Sequence, residues 1–398
     1  MKRLACGACS YGRLTLFLDL GDSPIANRYP SSPTEKQDRY PLQLVRCDQC
    51  GLVQMSEIVS DYELYGVDYG FYSGGSAPQR AYHKAGAELL MKRFFDQAHR
   101  GVVEVACNDG SLLRHFHEFG LPVLGVDPAG GPVGVARTAG LPVIQAPLTT
   151  ALAEEIRQDR GPVGLVIAYN SMAHVGDLAD VLTAIRTLMD EDSVAVFEVQ
   201  YLPDMIAGNM YDQVYHEHRF YYSLTSLRYA AALHGLYVVD AELIELQHGG
   251  LRVTLSTFSD SYVQSPVYWI EQRERWLDKL NHDVVQGSID RTREHLIQVV
   301  SRELQAGKKL GGYAAAAKAT TILNFCEMGP ETVPFVIDDT PYKQGKFVPG
   351  TAIPIIAQEE APPVDTMLLL SSNYLRTVLR TNSHKGSWIV PQPLPMVI

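Results

Sequence analysis

A chain of 398 residues, 46% hydrophobic and 20% charged, can bury two or three sizeable cores and has an ordinary globular composition. Its formal net charge of −11 argues against nucleic-acid binding through overall electrostatics, and no apolar run reaches the ~18 residues of a membrane span. The N-terminus MKRLACGACS lacks an apolar signal segment, so a cytoplasmic protein with reduced thiols is expected.

In the first sixty residues, Cys6-Gly-Ala-Cys9 and Cys47-Asp-Gln-Cys50 make two CxxC pairs. Each pair fits a tight turn that aims two thiolates at one ion, so the four predict a closed tetrahedral Zn2+ site of structural type. A redox pair is the competing reading. Gly7 and Gly51 suit the turns through positive φ. Seven Lys/Arg against six Asp/Glu, with four thiolates around Zn2+, leave no basic face for nucleic acid. The module is therefore expected to brace a neighbouring domain or its cleft.

Next comes alternation of helix and strand, the mark of a parallel α/β sheet. A helical stretch at 80–95 precedes strand-like runs at 102–107, 122–127, 142–145, 164–170 and 193–199, then two more at 237–246 and 251–258 joined through His248-Gly249-Gly250. Five parallel strands closed by a hairpin fit a seven-stranded, Rossmann-like methyltransferase sheet better than a dinucleotide dehydrogenase. Glu104-x-Ala106-x-Asn108-Asp109-Gly110 follows the first strand where a nucleoside ligand approaches the backbone, and it keeps one of the three glycines of ExGxGxG. Asp127 stands at the next strand end, placed for two ribose hydroxyls. Together these predict S-adenosylmethionine binding, with a different nucleotide as the alternative.

Within the stretch Tyr211–Tyr222, YDQVYHEHRFYY, Tyr215-His216-Glu217-His218 sets two imidazoles, a carboxylate and a phenol side by side among aromatic rings. Burying unpaired charge is costly, so it reads as the wall of an active site. A metal at His216 and His218 is disfavoured, because alternate strand residues face opposite ways and no third ligand is evident.

Residues 262–308 are helical in pattern, with Trp269 and Trp276 expected to pack. Strands at 309–314, 333–337 and 366–370 and a helix at 315–326 predict a smaller Rossmann-like domain. The alanines before Lys318 suit close packing, Lys318 suits phosphate or sugar contact, and Cys107 and Cys326 read as small buried hydrophobes. The domains are expected at 1–70, 71–262 and 263–398.

The order of motifs resembles one family. Besides the four cysteines, it comprises Leu20-Gly-Asp-Ser-Pro-Ile-Ala-Asn27, Tyr69-Gly-Phe-Tyr-Ser73, Glu104 to Gly110, Asn170-Ser-Met-Ala-His174, Tyr215-His-Glu-His218, Gly312–Lys318 and Asp338–Gly350. These are similar to the sugar C-methyltransferases of the tetronitrose-pathway type, which act on nucleotide-linked 4-keto-6-deoxy sugars. Ala106-Cys107 stands where that family has a Gly-Ser pair, and Ala319 where it has glycine. The resemblance implies His218 as the base that takes a proton from the carbon to be methylated, carbon 3 of the sugar. It implies Tyr215 at the keto or enolate oxygen, Glu217 as orienting neighbour, His174 opposite, and Tyr69 capping the sugar. Asn170 would join Glu104, Ala106, Asn108, Asp109, Gly110 and Asp127 at the cofactor, with Tyr72, Tyr222 and Lys318 at the substrate. The expected ligands are S-adenosylmethionine, one structural Zn2+ and a nucleotide sugar, the expected state a monomer or weak homo-oligomer. An O- or N-methyltransferase on a related small molecule and a non-catalytic zinc adaptor are the competing functions.

Overall fold

The structure is a computed structural model that describes residues 1–65, 69–245, 249–258, 265–382 and 384–398. Part of the hairpin link (residues 246–248) and the expected domain junction at 262 lie outside the described residues.

Strands β1 (Leu14–Pro24), β2 (Arg39–Cys47) and β3 (Val53–Met55) form an antiparallel meander. In β2, Leu42 and Leu44 alternate with more exposed neighbours, the period-2 pattern of a half-buried strand. Strands β4 (Val102–Val105), β5 (Val123–Val126), β6 (Val143–Ile144), β7 (Leu165–Tyr169) and β8 (Val194–Gln200) are parallel. The first two and β7 are buried at every residue, as continuous Val/Ile/Leu runs in a sheet covered on both faces should be.

Strand β9 (Phe220–Tyr221) leaves that sheet and pairs with β3, Val53 opposite Tyr221 and Gln54 opposite Phe220. It becomes the fourth strand of the N-terminal sheet. Strands β10 (Tyr237–Ile244) and β11 (Gly250–Ser256) return antiparallel, giving the order β6-β5-β4-β7-β8-β11-β10. The expected seven-stranded arrangement, five parallel strands and an antiparallel pair, is present.

The C-terminal sheet comprises β12 (Leu310–Tyr313), β13 (Val336–Ile337), β14 (Ile355–Ile356), β15 (Thr366–Leu369), β16 (Ser387–Val390) and β17 (Met396–Val397), in the order β14-β13-β12-β15-β16-β17. All pairs are parallel except the last. The chain enters this domain by the helix His282–Gln305, capped by the Asn281 side chain on Val284 N–H. Its buried stripe of Val285, Ile289, Leu296, Val299 and Val300 joins a core shared by Phe17, Leu44 and Met55 of the N-terminal sheet, Tyr211 and Val214, and the C-terminal strands. A second core joins the zinc-ligand cysteines to the central sheet. The segment before and after His218 is thus gripped by all three sheets.

One sequence expectation, that the Trp269 and Trp276 pair packs inward, fails. The helix Ser265–Glu274 buries Val267, Ile270 and Glu274, which leaves Trp269 on the outer face, 65% exposed. Trp276 is also partly exposed, so the pair does not form an inward stripe. Cys107 and Cys326 are buried as expected.

Candidate active site and zinc site

The four cysteine sulfurs lie within 4.8 Å of one another, with Cys6–Cys50 and Cys9–Cys47 each 3.6 Å apart. A tetrahedron with ~2.3 Å Zn–S bonds has edges of about 3.8 Å, so the donors fit Zn2+ with no position left for substrate. Gly51 has φ +71°, as expected of its turn. At the other knuckle the residue with positive φ is Ser10, not Gly7. Gly7 is required by space: a Cβ there would sit 2.7 Å from the Phe220 ring. That ring also lies under Arg3, 5.1 Å from its guanidinium carbon. The zinc knuckle therefore packs directly on the strand that continues from His218.

The central sheet changes direction between β4 and β7, and in such sheets ligands bind outside the carboxyl ends at that point. The loop after β4 carries positive φ at Ala106 (+55°), Asn108 (+51°) and Gly110 (+71°), the three glycine positions of ExGxGxG. The glycine backbone is kept although two side chains differ. Asparagine tolerates this region and alanine does so at a cost, so Ala106→Gly is expected to stabilise the protein by about 1 kcal/mol in urea unfolding.

Asp127, at the end of β5, accepts from Asn108 N–H (2.8 Å) and Ala129 N–H (2.7 Å) through separate oxygens. Burial pushes its carboxyl up, and those two N–H groups pull it back. Glu104 is buried in β4 beside the Leu113 N–H, and burial pushes its carboxyl well above the usual range. Asp109 accepts from Ser73 Oγ (2.8 Å) and Gly74 N–H (2.9 Å). Ser73 N–H in turn donates to Asn108 Oδ1 (2.8 Å). The Tyr69–Ser73 segment is thereby strapped over the cofactor loop. Tyr72 follows this strap: a Cβ on Gly131 would come 3.0 Å from its hydroxyl, which sets it on the Asp127 side rather than beside His218.

On the other side of the strap, His218 Nδ1 lies 3.0 Å from the Gln213 carbonyl oxygen. A carbonyl can only accept, so Nδ1 carries the proton and the lone pair is on Nε2. Tyr215 donates its hydroxyl to that nitrogen at 2.6 Å. The His174 ring meets His218 edge-on with centroids 4.9 Å apart, at the end of the loop that starts from Asn170 after β7. Burial first, then the His174 ring, hold His218 well below its ordinary pKa, so it is a neutral imidazole; burial takes His174 down to about 4. Tyr69 stacks edge-on against Tyr65 (5.3 Å) and feels Glu217, Tyr215 and Asp127, which links the two halves of the site.

Glu217 is buried and accepts from Asn27 Nδ2 at 2.7 Å. Burial pushes it up to about 7, against Asn27 and Arg219. With the folded pKa above the ordinary 4.5, the group costs stability as pH rises through that interval, and fully above 7. Glu217→Gln is therefore expected to stabilise the protein more at pH 8 than at pH 5, by about 2 kcal/mol in urea unfolding. A gain that does not change with pH would contradict the assignment.

His216 points away. Its ring meets Tyr40 of β2 at 5.8 Å, beside the Tyr40 and Pro41 backbone, and among the described residues neither nitrogen has a well-formed hydrogen bond. Among the described residues, the cysteines form the one group of donors with metal-site spacing, and His216 with His218 does not. Tyr222 is a core residue whose hydroxyl donates to the Met172 carbonyl at 2.8 Å. Lys318, buried in the first turn of Ala317–Phe325, donates to Asn373 Oδ1 at 3.1 Å. Residues absent from the sequence expectation are Asn27, Tyr65 and Arg219. Asn27 closes the LG-x-x-P-x-A-N motif and was signalled by it. Tyr65, whose hydroxyl donates to the His174 carbonyl at 3.2 Å, and Arg219, which bonds the Val59 carbonyl and pairs with Asp61, carry no local signal.

Family models match along the whole chain. A zinc binding domain covers residues 6–65, a methyltransferase domain 79–241, and a C-methyltransferase C-terminal domain 247–393. The chain is 30% identical to the C-methyltransferase NovU of Streptomyces niveus, over 99% of this chain and 96% of that one. Among solved structures, the PH0226 protein of Pyrococcus horikoshii OT3 is 16% identical and covers 50% of this chain and 99% of its own, with a TM-score of 0.38. An S-adenosylmethionine-dependent methyltransferase of Clostridium acetobutylicum ATCC 824 is 12% identical over 44% of this chain and 91% of its own, TM-score 0.36.

Proposed function

The chain belongs to the C-methyltransferase family and is an S-adenosylmethionine-dependent methyltransferase, and from that premise we propose that it methylates carbon 3 of an NDP-linked 4-keto-6-deoxy sugar. S-Adenosylmethionine, when bound, supplies an electrophilic methyl group on a sulfonium. The residues of this chain must supply a carbon nucleophile in line with it.

The observation that carries the proposal is the Tyr215–His218 pair with its tautomer fixed by Gln213. A ketone acidifies the carbons beside it, and a neutral imidazole with Nε2 free can take that proton. In the resting site the Tyr215 hydroxyl occupies the lone pair. Turning that O–H to the ketone oxygen uncovers Nε2 and places a donor where the enolate charge develops. The proton goes to Nε2 and the electron pair to the ketone oxygen, which leaves the carbon nucleophilic; bound S-adenosylmethionine would supply the methyl group to that carbon, the bonding pair staying on sulfur. His174 and Glu217 position this pair, Tyr69 closes the strap above it, and Ala106, Asn108, Gly110, Asp127 and Asn170 hold the cofactor.

A panel of NDP-4-keto-6-deoxyhexoses with S-adenosylmethionine, read by mass spectrometry, tests the substrate class. The expected result is a gain of one methyl group, placed on carbon 3 by carbon NMR. No methylation of any nucleotide sugar would overturn the substrate class, and a methyl on carbon 5 the position alone.

A further inference from the structure

Asp212 lies in the single 3-10 turn Tyr211–Gln213 that leads into the Tyr215–His218 segment. It is 1% exposed, and among the described residues neither carboxylate oxygen has a well-formed hydrogen bond. Gln392, 2% exposed, faces it from the end of the C-terminal domain, near enough to offset part of the upward push that burial gives the carboxyl, yet among the described residues its amide oxygen and nitrogen make no well-formed hydrogen bond. The Lys318 ammonium acts on Asp212 as an opposite charge, and its own hydrogen bond goes to Asn373. The helix that carries Lys318 is tied to the same turn by Thr321 Oγ1, which donates to the Val214 carbonyl at 2.7 Å. An open buried polar group costs roughly 1–3 kcal/mol, so a purely structural staple would close these bonds. Here donors and acceptors from two domains converge, and among the described residues no well-formed hydrogen bond closes between Asp212 and Gln392.

We propose that Asp212, Lys318 and Gln392 form a subsite for a ring hydroxyl of the sugar, beside the carbon that is methylated. This rests on the sugar-nucleotide function above. Asp212 stands three residues before Tyr215, and the helix of Lys318 is tied to Val214, the residue next to Tyr215, so the cluster adjoins the segment that carries the reacting pair. Its chemistry selects the hydroxyl. A hydroxyl both donates and accepts, which suits a carboxylate beside an ammonium and an amide. A diphosphate would meet the Asp212 carboxylate, and the Asp–Lys pair has no net positive charge to attract it. The phosphate role open to Lys318 from sequence is therefore replaced by a sugar role.

The test uses an NDP-4-keto-6-deoxyhexose that the wild-type enzyme methylates, together with its 2-deoxy counterpart. Asp212→Asn and Gln392→Leu are expected to raise KM at least tenfold for the hydroxylated sugar and to leave it unchanged for the 2-deoxy sugar. S-Adenosylmethionine affinity should not move. The melting temperature without substrate should stay level or rise in Asp212→Asn, because an unpaired buried charge is removed. A lower melting temperature with equal KM increases for both sugars would make the cluster structural and overturn the subsite. Unchanged KM values in both variants would do the same. Wild-type enzyme that methylates no sugar nucleotide would sink the substrate class and the subsite together, whereas wild-type turnover with unmoved variants sinks the subsite alone.

Discussion

His218→Asn is expected to lower kcat by about 10³-fold while the dissociation constant for S-adenosylmethionine stays close to the wild-type value. Asparagine can still donate to the Gln213 carbonyl, so the segment keeps its shape, but it offers no basic nitrogen where Nε2 stood. The cofactor loop depends on Asp127 and on the strap from Ser73, neither of which touches His218. Tyr215 cannot take over as base, because burial and the nearby Glu217 push its hydroxyl well above the ordinary tyrosine range. Steady-state kinetics and calorimetry with S-adenosylmethionine separate the two effects. Near wild-type turnover would remove His218 from the chemistry, and equal loss of turnover and cofactor affinity would make it structural.

Cys47→Ser should cost about 4 kcal/mol or more in stability, the scale of a lost structural metal site. Cys47 ends β2, and the knuckle it begins leads straight into β3. Because β3 pairs with β9, and Met55 N–H donates to the Arg219 carbonyl, the loss should reach the residue next to His218. Zinc content measured by atomic absorption is expected to fall together with the midpoint of urea unfolding. Full loss of zinc with an unchanged midpoint would show that the ion is not what holds this module.

Local signals carried much of this architecture. The CxxC pairs are short-range, and the central strands are continuous apolar runs punctuated by loops. The paired segments 237–246 and 251–258 also showed as apolar strands. What escaped notice depends on contacts across long separations. Strand β9 has two residues, and its place in the zinc sheet is set by β3, more than 160 positions earlier. Asn27 reaches Glu217 across 190 positions, which no periodicity could reveal. The family resemblance sets Tyr222 at the substrate, whereas its hydroxyl is used by the Met172 backbone carbonyl, 50 positions earlier. Trp269 is bulky and apolar, yet the buried face of its helix is set by Val267, Ile270 and Glu274, which turns the indole outward. The missing glycines at 106 and 108 made the cofactor loop look weaker than it is, since backbone conformation, not residue type, is what the loop preserves.

His218 and Tyr215 are assigned the making and holding of an enolate, and hydrogen exchange at the substrate reads that step directly. The enzyme is incubated with an NDP-4-keto-6-deoxyhexose in D2O without S-adenosylmethionine, and carbon 3 is followed by NMR. Deuterium is expected to enter at carbon 3 with wild-type enzyme and to enter far more slowly with His218→Asn. Exchange absent with wild-type enzyme, with or without the thioether product of the cofactor, would contradict the enolate and favour methyl transfer to oxygen or nitrogen.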